Sequence, residues 1–190
     1  MFEVTTNRAM KPIIHLFAVV FLLGTGVAVR ADVDLGRPTS STVYDPYLVP
    51  MRQTFAKFGG GTPAINEVRA NLRTARRFRY YFNTATPYTP QLPAVTEARR
   101  EGDCKAKSLW LASKMGDGNT RYVIGKGRTT SRISHAWLLW PSDGTWYALD
   151  PTNESEILNA ERIVGRKLIP QFSYTSSTRY QHPSYGQYVR

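Results

Sequence analysis

The sequence predicts an α+β fold in which helices precede a small antiparallel sheet. Apolar residues recur at helical spacing after Pro63, which indicates an amphipathic helix packed on a core. Between residues 120 and 150, β-branched and aromatic residues instead form three short runs, and the last two flank a polar turn at 141–144. A chain of 190 residues with 42% hydrophobic content is long enough for one domain with a substantial core.

The N-terminal segment 1–31 has the pattern of a secretory signal. Arg8 and Lys11 precede an apolar run, and small residues stand just before a cleavage point ahead of Asp32. A retained membrane anchor is the alternative, but the glycines within the run weaken it as a membrane-spanning helix. We therefore expect a periplasmic or secreted protein that is not stably inserted in a membrane once the signal is removed.

The net charge and the cysteine content indicate which partners and which kind of site to expect. The formal net charge of +11 favours anionic partners. The arginines are scattered and the sequence has no nucleic-acid-binding motif, so we do not expect nucleic acid as a partner, whereas an anionic polymer of the cell envelope stays open. Cys104 is the single cysteine, so the chain forms no internal disulfide and carries a free thiol.

The segment 32–61 is rich in Pro, Ser, Thr and Tyr and is predicted to be an extended lead-in to a domain that spans 62–172. The first helix of that domain opens at Pro63 and continues to about Phe82. One face of the helix is apolar and arginines cover the rest, which is typical of a solvated basic surface, with docking of an acidic partner as the alternative. The apolar stripe consists of Ile65, Val68, Leu72, Ala75, Phe78 and Phe82.

The second half of the domain combines a buried helix with strands. After a short helix at 94–100, Asp103 is a good N-cap for a helix that begins at Cys104 and ends at 116–119. The tyrosine-rich segment 173–190 is predicted to be a loose C-terminal tail. The predicted strands are Thr120 to Lys126, Ile133 to Trp140 and Thr145 to Asp150.

Cys104 has the setting of a nucleophile. The free N–H groups and the dipole of a helix N-terminus favour the thiolate form, whereas the neighbouring Asp103 opposes it, so a cationic histidine would be needed as a partner. A lone cysteine is more often a small buried hydrophobic residue. The Gly-Asp-Cys helix start and the predicted export nevertheless favour a thiol that is used in chemistry.

The hairpin supplies a histidine and an acid. If its turn is symmetric about Ser142 and Asp143, His135 lies directly opposite Asp150, on the same face of the sheet. A change of register by one residue would separate the two side chains. In this arrangement Cys104 would attack a carbonyl carbon, His135 would transfer the proton, and Asp150 would orient the imidazolium.

The remaining site residues complete this hypothesis. The backbone N–H of Cys104 is a natural donor to an oxyanion. A second donor is expected from a side chain upstream, with Tyr88, Gln91 and Tyr81 as candidates. Trp137, on the histidine strand, is assigned to substrate binding. One cysteine with one well-placed histidine gives too few soft ligands for a structural zinc site, so no metal is predicted.

Three motifs, in their order along the chain, resemble those of the bacterial transglutaminase-like cysteine proteases, which have a papain-like fold. They are Gly102-Asp103-Cys104, Ser134-His135-Ala136-Trp137 and Leu149-Asp150-Pro151-Thr152. The resemblance implies a helix packed on an antiparallel sheet, with Cys104, His135 and Asp150 as nucleophile, base and orienting acid. Some periplasmic members bind calcium through acids that flank the cysteine. Here Lys105 follows the cysteine, which disfavours calcium, and we expect no cofactor.

The expected function is that of an exported cysteine hydrolase, which cleaves a peptide or isopeptide amide in a peptide or protein substrate through a thioester acyl-enzyme. One alternative is a transglutaminase, which would resolve the same thioester with an amine. The other is a non-catalytic basic module on the same fold that binds an envelope polymer. Salt-sensitive binding that survives Cys104→Ala would identify the last of these.

Overall fold

The computed structural model describes residues 33–128, 130–165 and 167–188, so the predicted signal at 1–31 lies outside the described residues. The helices are α1 (Val49–Phe55), α2 (Ile65–Arg77), α3 (Pro93–Arg99), α4 (Cys104–Met115), α5 (Ala160–Ile163) and α6 (Tyr185–Tyr188), with a 3-10 turn at Asp45–Tyr47. The strands are β1 (Arg37–Thr39), β2 (Arg79–Tyr80), β3 (Glu101–Gly102), β4 (Arg121–Lys126), β5 (His135–Ser142), β6 (Thr145–Leu149), β7 (Leu158–Asn159), β8 (Ile169–Tyr174) and β9 (Arg179–Gln181). No helix in these ranges is both long and apolar enough to cross a membrane.

A seven-stranded antiparallel sheet forms one layer of the fold, in the order β1-β9-β8-β4-β5-β6-β7. The three predicted strands are confirmed as β4, β5 and β6. The tail at 173–190 is expected from the sequence to be loose, but residues 173–181 lie in β8, β9 and the turn between them. Likewise, the lead-in at 32–61 is less extended than expected, since it contributes β1, the 3-10 turn and α1. Both ends of the described part of the chain thus contribute strands to the sheet.

Helix α4 lies at the centre of the fold, between the sheet and α1, α2 and α3. Its boundaries agree with the prediction. The Asp103 side chain caps the first turn by accepting a hydrogen bond from the Ala106 N–H at 3.0 Å. Gly116, at φ 62°, ends the helix in the left-handed conformation. Most of its side chains are buried, including Leu109, Leu111 and Met115, because the helix packs on both sides.

Helix α2 is shorter than the prediction, since it ends at Arg77 rather than near Phe82. Phe78 adopts an extended conformation, and Arg79 and Tyr80 then pair in parallel with β3. The run of aromatic residues from 78 to 82 favours extended backbone, and pairing with β3 satisfies its hydrogen bonds. The ammonium of Lys107 on α4 binds the Phe78 carbonyl at 2.6 Å, which caps the end of α2. This early end places Tyr80 beside the start of α4.

The hairpin between β5 and β6 has a different register from the predicted one. Asp143 and Gly144 form a two-residue turn with φ values of 49° and 70°, as in a type I′ turn, so Ser142 pairs with Thr145. Leu138 therefore pairs with Leu149, two positions further along than the symmetric turn predicts. Side chains alternate between the two faces of a strand, so a register error of two positions leaves every side chain on its predicted face.

Candidate active site

The loop after β6 holds the Asp150 carboxylate beside His135. His135 is the first residue of β5, and its Nε2 lies 2.8 Å from Asp150 Oδ2. The Thr152 and Asn153 N–H groups donate to Asp150 Oδ1 at 3.1 and 3.2 Å. The Asn153 amide also donates to Oδ2 at 2.9 Å. The chain therefore wraps around the carboxylate directly after Pro151, which fixes it at the end of the strand.

The electrostatics of this pair favour a charged histidine. Burial lowers the pKa of His135, but hydrogen bonds and charge interactions with Asp150 and with the Cys104 sulfur outweigh it and raise the pKa to about 10. Burial also raises the pKa of Asp150, yet the hydrogen bonds from His135, Asn153 and the Thr152 N–H hold it below its usual range. An imidazolium beside a carboxylate is therefore stable at neutral pH.

Cys104 meets His135 at one end of the sheet. The cysteine is the first residue of α4 and is only 5% exposed. Its N–H has no partner within the helix because it belongs to the first turn. Gly102 allows the chain to pass close to the first turn of α4, since a Cβ at position 102 would lie 2.6 Å from the Ala106 Cβ. Because Asp150 engages Nε2 of His135, Nδ1 is the ring nitrogen that remains for the thiol. The structure thus brings Cys104, His135 and Asp150 together.

Trp137 does not contact substrate as the sequence analysis expects. The side chain is completely buried, in a cluster with Val123, Leu139 and Ala148. Its ring stacks on the His135 ring, with the centroids 5.9 Å apart and the planes 25° from parallel. Residues two positions apart on a strand share a face. The buried Trp137 indole therefore packs below the His135 imidazole and supports that ring rather than binding a ligand.

The two predicted oxyanion residues occupy different places. Tyr88 borders a groove that also contains Cys104, and half of its surface is exposed. Gln91 borders a separate cavity with Gly102 and Asp103, and its amide donates to the Thr96 hydroxyl at 3.3 Å. Tyr81, the third candidate, lines that same separate cavity. Only Tyr88 therefore lies on the Cys104 side.

Tyr80 and Asn153 are site residues that the sequence analysis misses. Tyr80 borders both grooves that contain Cys104. Burial and the nearby Cys104 and Asp103 raise the pKa of Tyr80 to about 12, so its hydroxyl stays protonated and can donate. Its position depends on the pairing of β2 with β3, which has no local signal. Asn153 is different, because the Asp-Pro-Thr-Asn sequence is typical of a turn and could have indicated it.

Comparisons with known proteins find similarity in structure alone. No family model matches the chain, and no curated protein matches it. A calcium-bound structure of Legionella pneumophila LapG matches at 15% identity and a TM-score of 0.53, over 73% of this chain and 83% of LapG. An EGTA-treated structure of the same protein matches at 14% identity and a TM-score of 0.53, over 78% of this chain and 89% of LapG.

The fold is that of LapG. The similarity confirms the predicted α+β class with a helix against an antiparallel sheet. At this level of identity the comparison with LapG concerns the fold. The roles of individual residues rest on the geometry of this chain.

The acids beside Cys104 do not fit a calcium ion, although one LapG structure is calcium-bound. Asp103 uses one carboxylate oxygen to cap α4 and the other to bind the Lys105 ammonium. Glu101 forms an ion pair with Arg79. A hard cation needs several free oxygen ligands, and here the helix cap, Lys105 and Arg79 already bind three of the four carboxylate oxygens of Asp103 and Glu101. Among the described residues, no group of three or more His, Cys, Asp or Glu side chains is placed to hold a metal ion.

Proposed function

We propose that this protein is an exported cysteine hydrolase that cleaves an amide bond in a peptide or protein. The observation that carries the proposal is His135, which binds the buried Asp150 carboxylate through Nε2 and interacts with the Cys104 sulfur. A helix-start thiol, an imidazole and an orienting acid are the parts that acyl transfer through a thioester requires. The fold shared with LapG supports this reading. Export rests on the sequence pattern of residues 1–31.

In the proposed reaction the Cys104 thiolate attacks the amide carbon, and a C–S bond forms. The raised pKa of His135 keeps the imidazolium available to protonate the amine as the C–N bond breaks. The amine leaves, and a thioester remains. Neutral His135 then takes a proton from water, the hydroxide attacks the thioester, and the thiolate returns as the acid is released. Asp150 holds the ring in place throughout.

Two donors are placed to stabilise the oxyanion of the tetrahedral intermediates. The backbone N–H of Cys104 points out of the first turn of α4. We propose the Tyr80 hydroxyl as the second donor in place of Gln91, because Tyr80 lines the site on both sides of Cys104 and stays protonated with its pKa near 12. A Tyr80→Phe variant retains the ring and removes only this hydrogen bond.

The test of the proposal is the rate at which iodoacetamide labels Cys104 as a function of pH, measured by intact mass. We expect rapid labelling below about pH 7, because the imidazolium of His135, with its pKa of about 10, stabilises the thiolate. His135→Ala should slow labelling in this range, and Tyr81→Ala, which changes a neighbouring cavity, is the matched control. Labelling that follows an ordinary thiol near pH 8.5 in the wild type would overturn the proposal.

The products separate hydrolysis from transfer. A glutamine peptide incubated with a labelled amine should be hydrolysed without incorporation of the amine, whereas incorporation would identify a transglutaminase. The same assay in calcium and in EGTA should give equal rates, because Lys105 and Arg79 already neutralise the acids beside the site. Loss of activity in EGTA would contradict the proposed absence of a calcium requirement.

A further inference from the structure

An apolar groove of about 420 Å³ opens directly onto Cys104 and His135. This volume lies in the range of small-molecule and side-chain pockets. Residues from four separate segments of the chain form the walls, and most are aromatic or aliphatic. We call this surface the aromatic groove, and its walls are Tyr44, Tyr80, Phe82, Pro87, Tyr88 and Ile133.

The walls of the aromatic groove carry large apolar side chains that are exposed to water. Phe82 is 47% exposed and Ile133 is 78% exposed. Single exposed apolar residues are ordinary, but a contiguous patch around a concave site marks a place where a ligand binds. Because this patch is continuous with the candidate active site, the ligand is the part of the substrate that lies next to the thiol.

Contacts within the wall hold the aromatic groove open. The Tyr44 hydroxyl and the Ser134 hydroxyl are 2.9 Å apart, which ties the lead-in to the residue before His135. The Tyr88 ring packs against Tyr44 and Tyr47, with centroids 6.5 and 5.2 Å apart. Aromatic side chains have few rotatable bonds, so a groove built from them loses little conformational entropy when it is filled.

A second groove of about 420 Å³ also reaches Cys104 and His135, and its lining is more polar than that of the aromatic groove. Asp150 and Asn153 line this groove and not the aromatic one. The remaining lining includes Arg128, Glu154 and Lys167. The leaving amine must lie on the histidine side of the thiol, where Nδ1 can protonate it. The polar groove continues past His135 to Asp150 and Asn153, whereas the aromatic groove continues past Cys104 to Lys105. The polar groove therefore takes the leaving part, and the aromatic groove takes the acyl part.

We propose that the aromatic groove is the subsite for the acyl side of the scissile amide and that it selects a bulky apolar residue, aromatic or branched aliphatic. This inference rests on the proposed function, since it assigns the substrate of the same site. The occupant is a peptide side chain because the two grooves meet at the thiol, so that a chain running from one to the other passes its carbonyl carbon over Cys104.

The experiment compares blocked amino-acid chloromethyl ketones with phenylalanine, glycine and glutamate side chains on the full-length protein. In this reaction the Cys104 thiolate attacks the methylene carbon, a C–S bond forms and chloride leaves. Intact mass gives the second-order rate constant for each reagent. We expect the phenylalanine reagent to react at least roughly 10-fold faster than the glycine reagent, because filling an apolar subsite gives discrimination of that order or more.

Variants of the groove walls test whether the preference for phenylalanine arises in the aromatic groove. Tyr88→Ala and Ile133→Ser should each reduce the phenylalanine-to-glycine ratio several-fold, since both open the wall. Tyr81→Ala is the matched control, because Tyr81 is also exposed but lines a separate cavity, and its ratio should equal that of the wild type. Melting temperatures of the variants show that the ratio is measured on folded protein.

The outcomes separate this inference from the proposed function. Equal rates for phenylalanine and glycine, with rapid iodoacetamide labelling below pH 7, would overturn the subsite and leave the hydrolase standing. A preference for glutamate would overturn it as well, since Arg132 at the rim would then decide the specificity. Slow reaction with every reagent, iodoacetamide included, would overturn both.

Discussion

Within the described part of the chain lie two histidine–aspartate clusters, of which one borders a groove. In the second cluster His182 Nε2 lies 2.9 Å from the Ser173 hydroxyl. Its Nδ1 lies 3.0 Å from the Asp34 carbonyl and 3.4 Å from the Asp34 carboxylate. A hydroxyl, an imidazole and a carboxylate are the groups of a serine hydrolase. Ser173 is 0% exposed and His182 is 2% exposed, so no substrate reaches them.

The His182 cluster holds the two ends of the described chain together. Asp34 lies in the lead-in, and it accepts hydrogen bonds from the Gly36 and Ser184 N–H groups as well as from the Ser184 hydroxyl. Burial raises the pKa of Asp34, but the hydrogen bonds from His182, Ser184 and Gly36 outweigh it and lower the pKa below its usual range. The cluster thus joins the lead-in to β8 and to the segment after β9, on the outer part of the sheet.

The two clusters contain similar side chains but differ in access and in the position of the candidate nucleophile. The Cys104 site has a nucleophile at a helix start, a histidine at a strand start and two grooves that reach both. Ser173 lies within a strand, where its N–H belongs to the sheet and no helix dipole acts on its hydroxyl. Access and the position of the nucleophile therefore separate the two clusters, since the imidazole–carboxylate pair is common to both.

The largest expected effect is on rate. His135→Ala should lower the hydrolysis of a panel of N-acyl amino-acid p-nitroanilides by roughly 10²–10⁴-fold, because the proton transfer to the leaving amine is lost. His182→Ala, assayed well below its melting temperature, should stay within a few-fold of the wild type, since His182 touches neither groove. The release of p-nitroaniline measures both. Equal losses in the two variants would show that the clusters do not differ in function.

The parts of the fold that depend on local sequence could be predicted, and those that depend on distant pairing could not. Asp103 and Gly116 mark the ends of α4 because caps act within one turn. Strands β8 and β9 have no such local signal, since β8 is placed by pairing with the distant β4, and β9 by pairing with β8 and β1. Tyr80 was missed for the same reason, as its position follows from its pairing with Gly102.

The hairpin shows how His135 and Asp150 come together despite an error in the predicted register. The composition of the turn indicates its place, but the positive φ values of Asp143 and Gly144 make it a two-residue turn, and this sets the pairing. The predicted register differs by two positions, an even number, so His135 and Asp150 keep a common face. The sequence shows that Trp137 shares a face with His135, which suggested substrate binding. Burial of that position depends on the whole sheet, so the sequence alone did not indicate that Trp137 lies in the core.

The next largest effect is on stability and concerns the His182 cluster. His182→Ala should lower the free energy of unfolding by about 1–3 kcal/mol, because buried Ser173 and partly buried Asp34 lose their hydrogen-bond partner. Urea unfolding at pH 7 measures it. Asp34→Asn, which keeps the shape and removes the charge, is the companion variant. A His182→Ala protein as stable as the wild type would mean that the cluster does not hold the chain ends.

The smallest expected effect is the pH dependence of the free energy of unfolding, which compares the two clusters through their charges. Folding raises the pKa of His135 from an ordinary 6.5 to about 10. A group whose pKa is raised on folding contributes stability that is complete below the unfolded value and is lost as the pH rises through the folded value. For His135 the loss therefore falls between neutral pH and about pH 10. Asp34 has a lowered pKa, so its contribution is present above about 3.8 and is lost as the pH falls.

Matched variants isolate these two contributions. The difference in urea midpoint between the wild type and His135→Gln, which keeps a hydrogen-bonding side chain that does not titrate, should be largest at pH 6 and should shrink by pH 10.5. We expect a change on the order of 1 kcal/mol. The difference between the wild type and Asp34→Asn should instead shrink from pH 6 towards pH 3. If the His135→Gln difference has already vanished at pH 7.5, His135 titrates as an ordinary histidine, and the imidazolium–carboxylate pair of the Cys104 site is absent.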